Sequence, residues 1–176
     1  FISRDKSKDM IWPDMLWFWI IAYDLWNFAY VYNCVGDHSF YAGLALLISC
    51  TIPAFFIKRG AWLQHRANTL ALWMMFTMAV PWFVSDSIFA VETSRSATAL
   101  FTVSLISLLA NVAVLIFQVY TIANNFIYTL TYEIYTNLRQ YKEVVAENME
   151  PNAPDSNVPA EIKDVERDFD RLKERL

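Results

Sequence analysis

At 176 residues, 56% of them hydrophobic and 16% aromatic, with mean hydropathy +0.28, the chain is too apolar for an ordinary soluble domain. Charged residues make up 18%, and the net charge of −4, carried mostly by the C-terminal tail, offers no basic face to nucleic acid. Its two cysteines, Cys34 and Cys50, would lie roughly 20 Å apart in depth along a helical hairpin, which excludes a disulfide between them.

The chain opens on "FISRDKSKDM", with no initiator Met and no signal-peptide pattern. It reads as an excerpt, with further N-terminal helices of the same protein expected as packing partners. Residues 1–10 form a basic flank. Four nearly charge-free windows follow, at 11–32, 39–57, 68–91 and 97–123. Each reaches the roughly 18–20 residues that cross about 30 Å of hydrocarbon. A chain this small has no second layer to cover four all-round apolar helices, so the lipid bilayer is the expected partner.

In the first window, Pro13 suits a first helical turn and Asp14 the positive end of the helix dipole. Asp14 reads as structural. Asp24 lies just past the middle of that window, with Asn27 one turn later. No Lys or Arg falls inside the windows, so the sequence offers Asp24 no ionic partner. Its patch is separate from an aromatic ridge of Trp12, Trp19 and Trp26.

The "NCVGDHS" loop has Gly36 for a tight turn and Asp37 for a cap. Cys34, Asp37 and His38 are too weak a set to read as a metal site, and no metal or other cofactor is expected. Pro53 and Pro81 should kink the second and third spans. His65, in the basic "KRGAWLQHRA" connection, reads as a surface or lipid-headgroup contact. Asp86 lies between Ser85 and Ser87 near the outer end of the third span. In the fourth, Ser104, Asn111, Gln118 and Asn125 recur every seven residues as a polar stripe.

Basic residues set the orientation. Arg4, Lys6, Lys8, Lys58, Arg59, Arg66, Arg139 and Lys142 flank one end of the spans, and Arg95 alone flanks the other. Both ends of the segment are therefore expected in the cytoplasm. Residues 131–150 are a juxtamembrane segment and 151–160 a proline-rich linker. Ile162, Val165, Phe169, Leu172 and Leu176, within 161–176, follow a 3-4 spacing that suits a short amphipathic helix or a homo-oligomeric coiled coil.

The expected fold is an all-α polytopic transmembrane bundle of four spanning helices, 11–130, plus the short C-terminal helix. Asp24, Asn27, Asn111, Gln118 and Asp86 are the candidate translocation path, with Asp24 as the proton site of a small-solute or ion transporter. One alternative is a structural or assembly subunit whose polar groups only lock helices together. Another is an intramembrane enzyme on lipid, for which no nucleophile–base pair or metal motif is visible.

"KDMIWPDMLWFWIIAYDLWNFAYVYNC" and "CTIPAFFIKRGAWLQHRANTLALWMMF" together resemble an uncharacterised family of bacterial multi-pass membrane proteins, a domain of unknown function, over residues 3–143. The resemblance implies a bacterial cytoplasmic membrane and a longer bundle of which this is the C-terminal half. It implies no activity and carries over no site residues.

Overall fold

The structure is a computed structural model. It describes residues 2–5, 7–35, 39–125 and 127–148. The expected turn at Gly36, the expected Asp37 cap, and the expected linker and heptad helix of 151–176 lie outside the described residues.

The chain is mostly helical. It begins, however, with a small antiparallel ribbon, β1 (Ser3–Arg4) and β2 (Met10–Ile11), in which Ser3 faces Ile11. Asp5 Oδ1 accepts the Asp9 N–H at 2.8 Å and closes the turn between them. The ribbon takes up residues 10–11, and Pro13 sits in the turn that follows, so helix α1 (Trp17–Cys34) starts six residues later than expected. Its N-cap is Leu16, with no side-chain cap bond. Asp14 therefore does not serve the dipole of α1 as expected. Its two oxygens instead accept the backbone N–H groups of Ile134 (2.9 Å) and Tyr135 (3.0 Å), pinning the chain after the last long helix to the foot of α1.

Helix α2 (Ser39–Phe56) contains Pro53, and the Pro53 carbonyl accepts both the Ile57 and the Lys58 N–H at 2.9 Å as the helix ends. Helix α3 (Trp62–Ala79) starts six residues before the expected boundary. It also ends early. The expected continuous span of 68–91 is broken at Val80 (φ −131, ψ 65), before Pro81. Proline lacks an N–H, and it drives the preceding residue to extended backbone. A single turn, α4 (Trp82–Ser85), follows, and the chain runs without regular structure to helix α5 (Ala97–Asn125).

The 29 residues of α5 extend about 44 Å at 1.5 Å each. With a mean hydropathy of 2.4 in its most apolar window, α5 is the one helix among the described residues long and apolar enough to cross a membrane unaided. That window is only 6% buried by the rest of the chain.

The principal contacts run α5–α1, α1–α2 and α2–α3, so the long helices form a row with α1 and α2 inside it. Met15, Ile20, Cys50, Ala54 and Trp62 make the main core, flanked by Trp12, Trp19, Tyr23, Phe55 and Leu63. Beneath it sits a platform. Helix α6 (Arg139–Asn148) lays Val144 against Ile11 and Ala61. Gly60 allows this approach: its φ is +80, and a Cβ there would lie 2.5 Å from Val144 Cγ1. Trp12 donates its N–H to the Gly60 carbonyl at 2.9 Å, and Asn148 Nδ2 donates to the Arg59 carbonyl at 3.0 Å. Arg59 pairs with Glu143 (2.9 Å) and Glu147 (3.5 Å), and Lys58 pairs with Asp5 and Asp9. Tyr135 is buried against Phe18 and Phe117 (ring centroids 5.3 and 6.0 Å) and completes the joint beside α1.

Candidate functional site

The polar centre of the molecule lies where α1, α2 and α3 meet. Asp24 Oδ2 accepts the Thr51 hydroxyl at 2.6 Å, and Thr51 Oγ1 accepts the Trp62 indole N–H at 3.1 Å. An indole N–H only donates, so Thr51 must receive from Trp62 and has its single hydrogen to give to Asp24. The chain of bonds therefore has one direction. It fixes Oδ2 as an acceptor and leaves Oδ1 as the oxygen that can carry a proton.

Asp24 Oδ1 is buried and has no hydrogen-bond partner among the described residues. The same holds for Arg66 Nη1. Arg66 stands four residues after Trp62, one helical turn on and on the same side of α3. Its charge acts on Asp24 and on Cys50, although no ion pair joins Arg66 to Asp24. A buried acceptor and a buried donor of opposite charge thus stand near each other with unused bonding capacity. Buried polar groups are rarely left so, because each costs about 1–3 kcal/mol.

The surroundings of the pair are apolar. Trp62 is 2% exposed and packs edge-on to Tyr23 at 5.0 Å. Cys50, fully buried, gives its thiol hydrogen to the Leu47 carbonyl at 3.4 Å. His65, next to Arg66, is half-buried, and its Nε2 is also without a hydrogen-bond partner among the described residues.

The other expected path residues lie elsewhere. Asn27 makes no bond to the Asp24–Thr51 pair. Asn111 Nδ2 donates to the Ala22 carbonyl at 3.0 Å and the Ser107 carbonyl at 2.9 Å, at the α1–α5 contact. Asn33 Nδ2 donates to Ser104 Oγ at 2.6 Å in the same seam. Asn125 bonds within its own helix, to the Thr121 carbonyl. Gln118 makes no hydrogen bond among the described residues. Asp86 is exposed after α4 and accepts the Ser85 hydroxyl at 2.9 Å. The stripe on α5 thus divides: Ser104 and Asn111 bind α1, and neither bonds to Asp24.

Thr51, Trp62 and Arg66 are the members that sequence reasoning missed. The signal was there for two of them. A helix begun at Trp62 puts Trp62 and Arg66 on one face, but taking 58–66 as a connection hides that register. Elsewhere, a cleft of about 310 Å³ opens between Trp17, Phe55, Arg59 and Glu143, and its charged rim is already paired. Among the described residues no three His, Cys, Asp or Glu side chains are grouped to hold a metal.

Family comparison covers this framework from the ribbon to all but the last residue of α6. A model of a family of unknown function, DUF5692, matches residues 1–147. The chain belongs to that family. No curated protein and no solved structure matches it. The DUF5692 match takes in Asp24, Thr51, Trp62 and Arg66 and stops short of the proline-rich linker. The family brings no activity, so the roles of these residues rest on their geometry.

Proposed function

We propose that the protein is an integral membrane protein whose α1, α2, α3 and α5 regions cross a bacterial cytoplasmic membrane, and that it translocates a small solute or ion with a proton carried by Asp24. The membrane reading is supported by apolar surface that the chain does not cover. Besides α5, Leu72, Met75 and Met78 of α3 are 64%, 60% and 75% exposed. Lipid would cover both faces. Sidedness is supported by the platform, where the N-terminal flank, the 58–61 connection and α6 come together at one end of the helices. Those are the segments whose basic residues assign the cytoplasmic side.

One observation carries the translocation reading: the buried Asp24 Oδ1 and Arg66 Nη1, both unsatisfied, at a three-helix junction. A buried carboxyl with one oxygen unbonded, within the electrostatic reach of a guanidinium, can exchange a proton as a bound polar group arrives or leaves. The alternative of a structural subunit is favoured by Asn111, whose bond to the Ala22 carbonyl locks α1 to α5. We assign that role to the Asn111–Ser104 seam and the transport role to the Asp24–Arg66 pair.

Reconstituted vesicles test the proposal. With a pH dye inside and the membrane potential clamped, an imposed gradient of sodium, potassium or chloride is followed for proton movement. Gradient-driven proton flux in the wild type that is absent in Asp24→Asn is the expected result. Flux equal in both, or none with any ion, would contradict it.

A further inference from the structure

We propose that the Asp24–Arg66 junction binds a small monovalent anion together with one proton, the two arriving as a neutral pair. The inference rests on the translocation reading and names its substrate class.

Hydrogen-bond direction comes first. Thr51 holds Oδ2 as an acceptor, so a proton on Asp24 sits on Oδ1. With Oδ1 ionised, the junction shows one acceptor and, from Arg66 Nη1, one donor. It then suits a group that both gives and takes hydrogen bonds, such as a hydroxyl or water. With Oδ1 protonated, both free atoms are donors. Two donors beside a fixed guanidinium charge form an anion site.

Charge balance points the same way. Asp24⁻ with Arg66⁺ is neutral. Protonated Asp24 with Arg66⁺ and a monovalent anion is neutral as well. An anion added without the proton would leave a buried negative charge, and a proton added without the anion a buried positive one. Uncompensated buried charge is penalised by several kcal/mol. Either unpaired state is therefore disfavoured, and the anion and proton bind as one unit. No covalent bond forms or breaks: a proton from solution joins Oδ1, and the anion accepts from Oδ1–H and Nη1–H.

The groups facing Asp24 agree with this assignment. From α2 these are Thr51, which is bonded to it, and the thiol of Cys50, whose hydrogen is engaged by Leu47. From α3 they are Trp62, bonded to Thr51, and Arg66. Arg66 is thus the positive charge that acts on Asp24, and the carboxylate and the anion compete for it.

Titration calorimetry on the whole chain in detergent micelles tests this, with formate as the organic probe and chloride as the inorganic one. Formate and chloride differ in shape, and the one bound more tightly identifies the source. On the alkaline side of the Asp24 titration, affinity should fall about tenfold per pH unit, the slope of one linked proton. Asp24→Asn should bind with no pH slope, since its amide is a permanently neutral donor. Arg66→Gln should lose binding, and Arg66→Lys, which keeps the charge if the glutamine variant fails to fold, should retain it weakly. Binding independent of pH in the wild type, binding undiminished in Arg66→Gln, or no binding of either anion would overturn the proposal. The measurement is made at equilibrium, so it separates the two readings. Proton flux without anion binding would remove the anion alone, and binding without flux would remove translocation.

Discussion

Thr51 Oγ1 lies 2.6 Å from Asp24 Oδ2, a bond that joins α1 to α2 and sets which carboxyl oxygen is free. Thr51→Val keeps the shape and removes the only hydrogen that reaches Oδ2 among the described residues. It also leaves the Trp62 indole without its acceptor. The variant should lose about 1–3 kcal/mol of stability. Thr51→Ser should retain most of it. Unfolding in graded denaturant within mild detergent checks both, and Val equal to wild type would show that the bond carries little.

Asn111 is expected to behave differently from Asp24. Its amide bonds to the Ala22 carbonyl across the α1–α5 seam. Asn111→Leu should reduce stability by about 0.6–1.7 kcal/mol, the usual range for an interhelical polar bond. It should leave the pH slope of anion binding unchanged. A changed slope would place Asn111 in the path after all.

Gly60 combines a φ of +80 with a close approach to Val144. Gly60→Ala must strain the backbone and push α6 away, at a cost of about 1 kcal/mol or more. Limited proteolysis should then cut between Leu138 and Asn148 faster than in the wild type. Val144→Ala relieves the clash without relieving φ, so the double variant should recover only partly.

Tyr135 makes the pH prediction. Burial, and secondarily Asp14, pushes its phenol up to about 12, against an ordinary value of 10. Between these values the unfolded chain has lost the proton and the folded chain still holds it. The unfolded state then binds fewer protons, so stability falls as pH rises through that window. Tyr135→Phe should flatten this alkaline loss. It should also be neutral or stabilising at neutral pH, because the buried Tyr135 hydroxyl has no hydrogen-bond partner among the described residues. Alkaline unfolding curves for both proteins provide the check.

Much of the helical layout is legible in the sequence because it follows hydropathy, and α5 matches its window within two residues. Helix ends are less legible, since they depend on contacts distant in sequence. The start of α1 is displaced by a ribbon that pairs Ser3 with Ile11, and hydropathy does not report pairing. Pro81 is visible, but whether proline kinks or ends a helix depends on what packs around it. At the candidate site Asp24 stands out as a carboxylate in an apolar run. Thr51 and Arg66 do not: threonine is common in apolar helices, and arginine near a predicted loop reads as a flank. Their roles come from three helices meeting, which a single chain position does not encode.

Thiol labelling in vesicles tests the membrane placement of α5 and the path beside Asp24 together. With Cys34 and Cys50 replaced by serine, single cysteines are placed at Thr51 and at Leu108, which is 59% exposed on α5. Each is treated with a membrane-impermeant reagent from each side. A transporter embedded in lipid should label at 51, where the path is wet, and stay unlabelled at 108, where lipid covers the helix. Labelling at 108 with none at 51 would contradict both the membrane placement of α5 and the solute path beside Asp24.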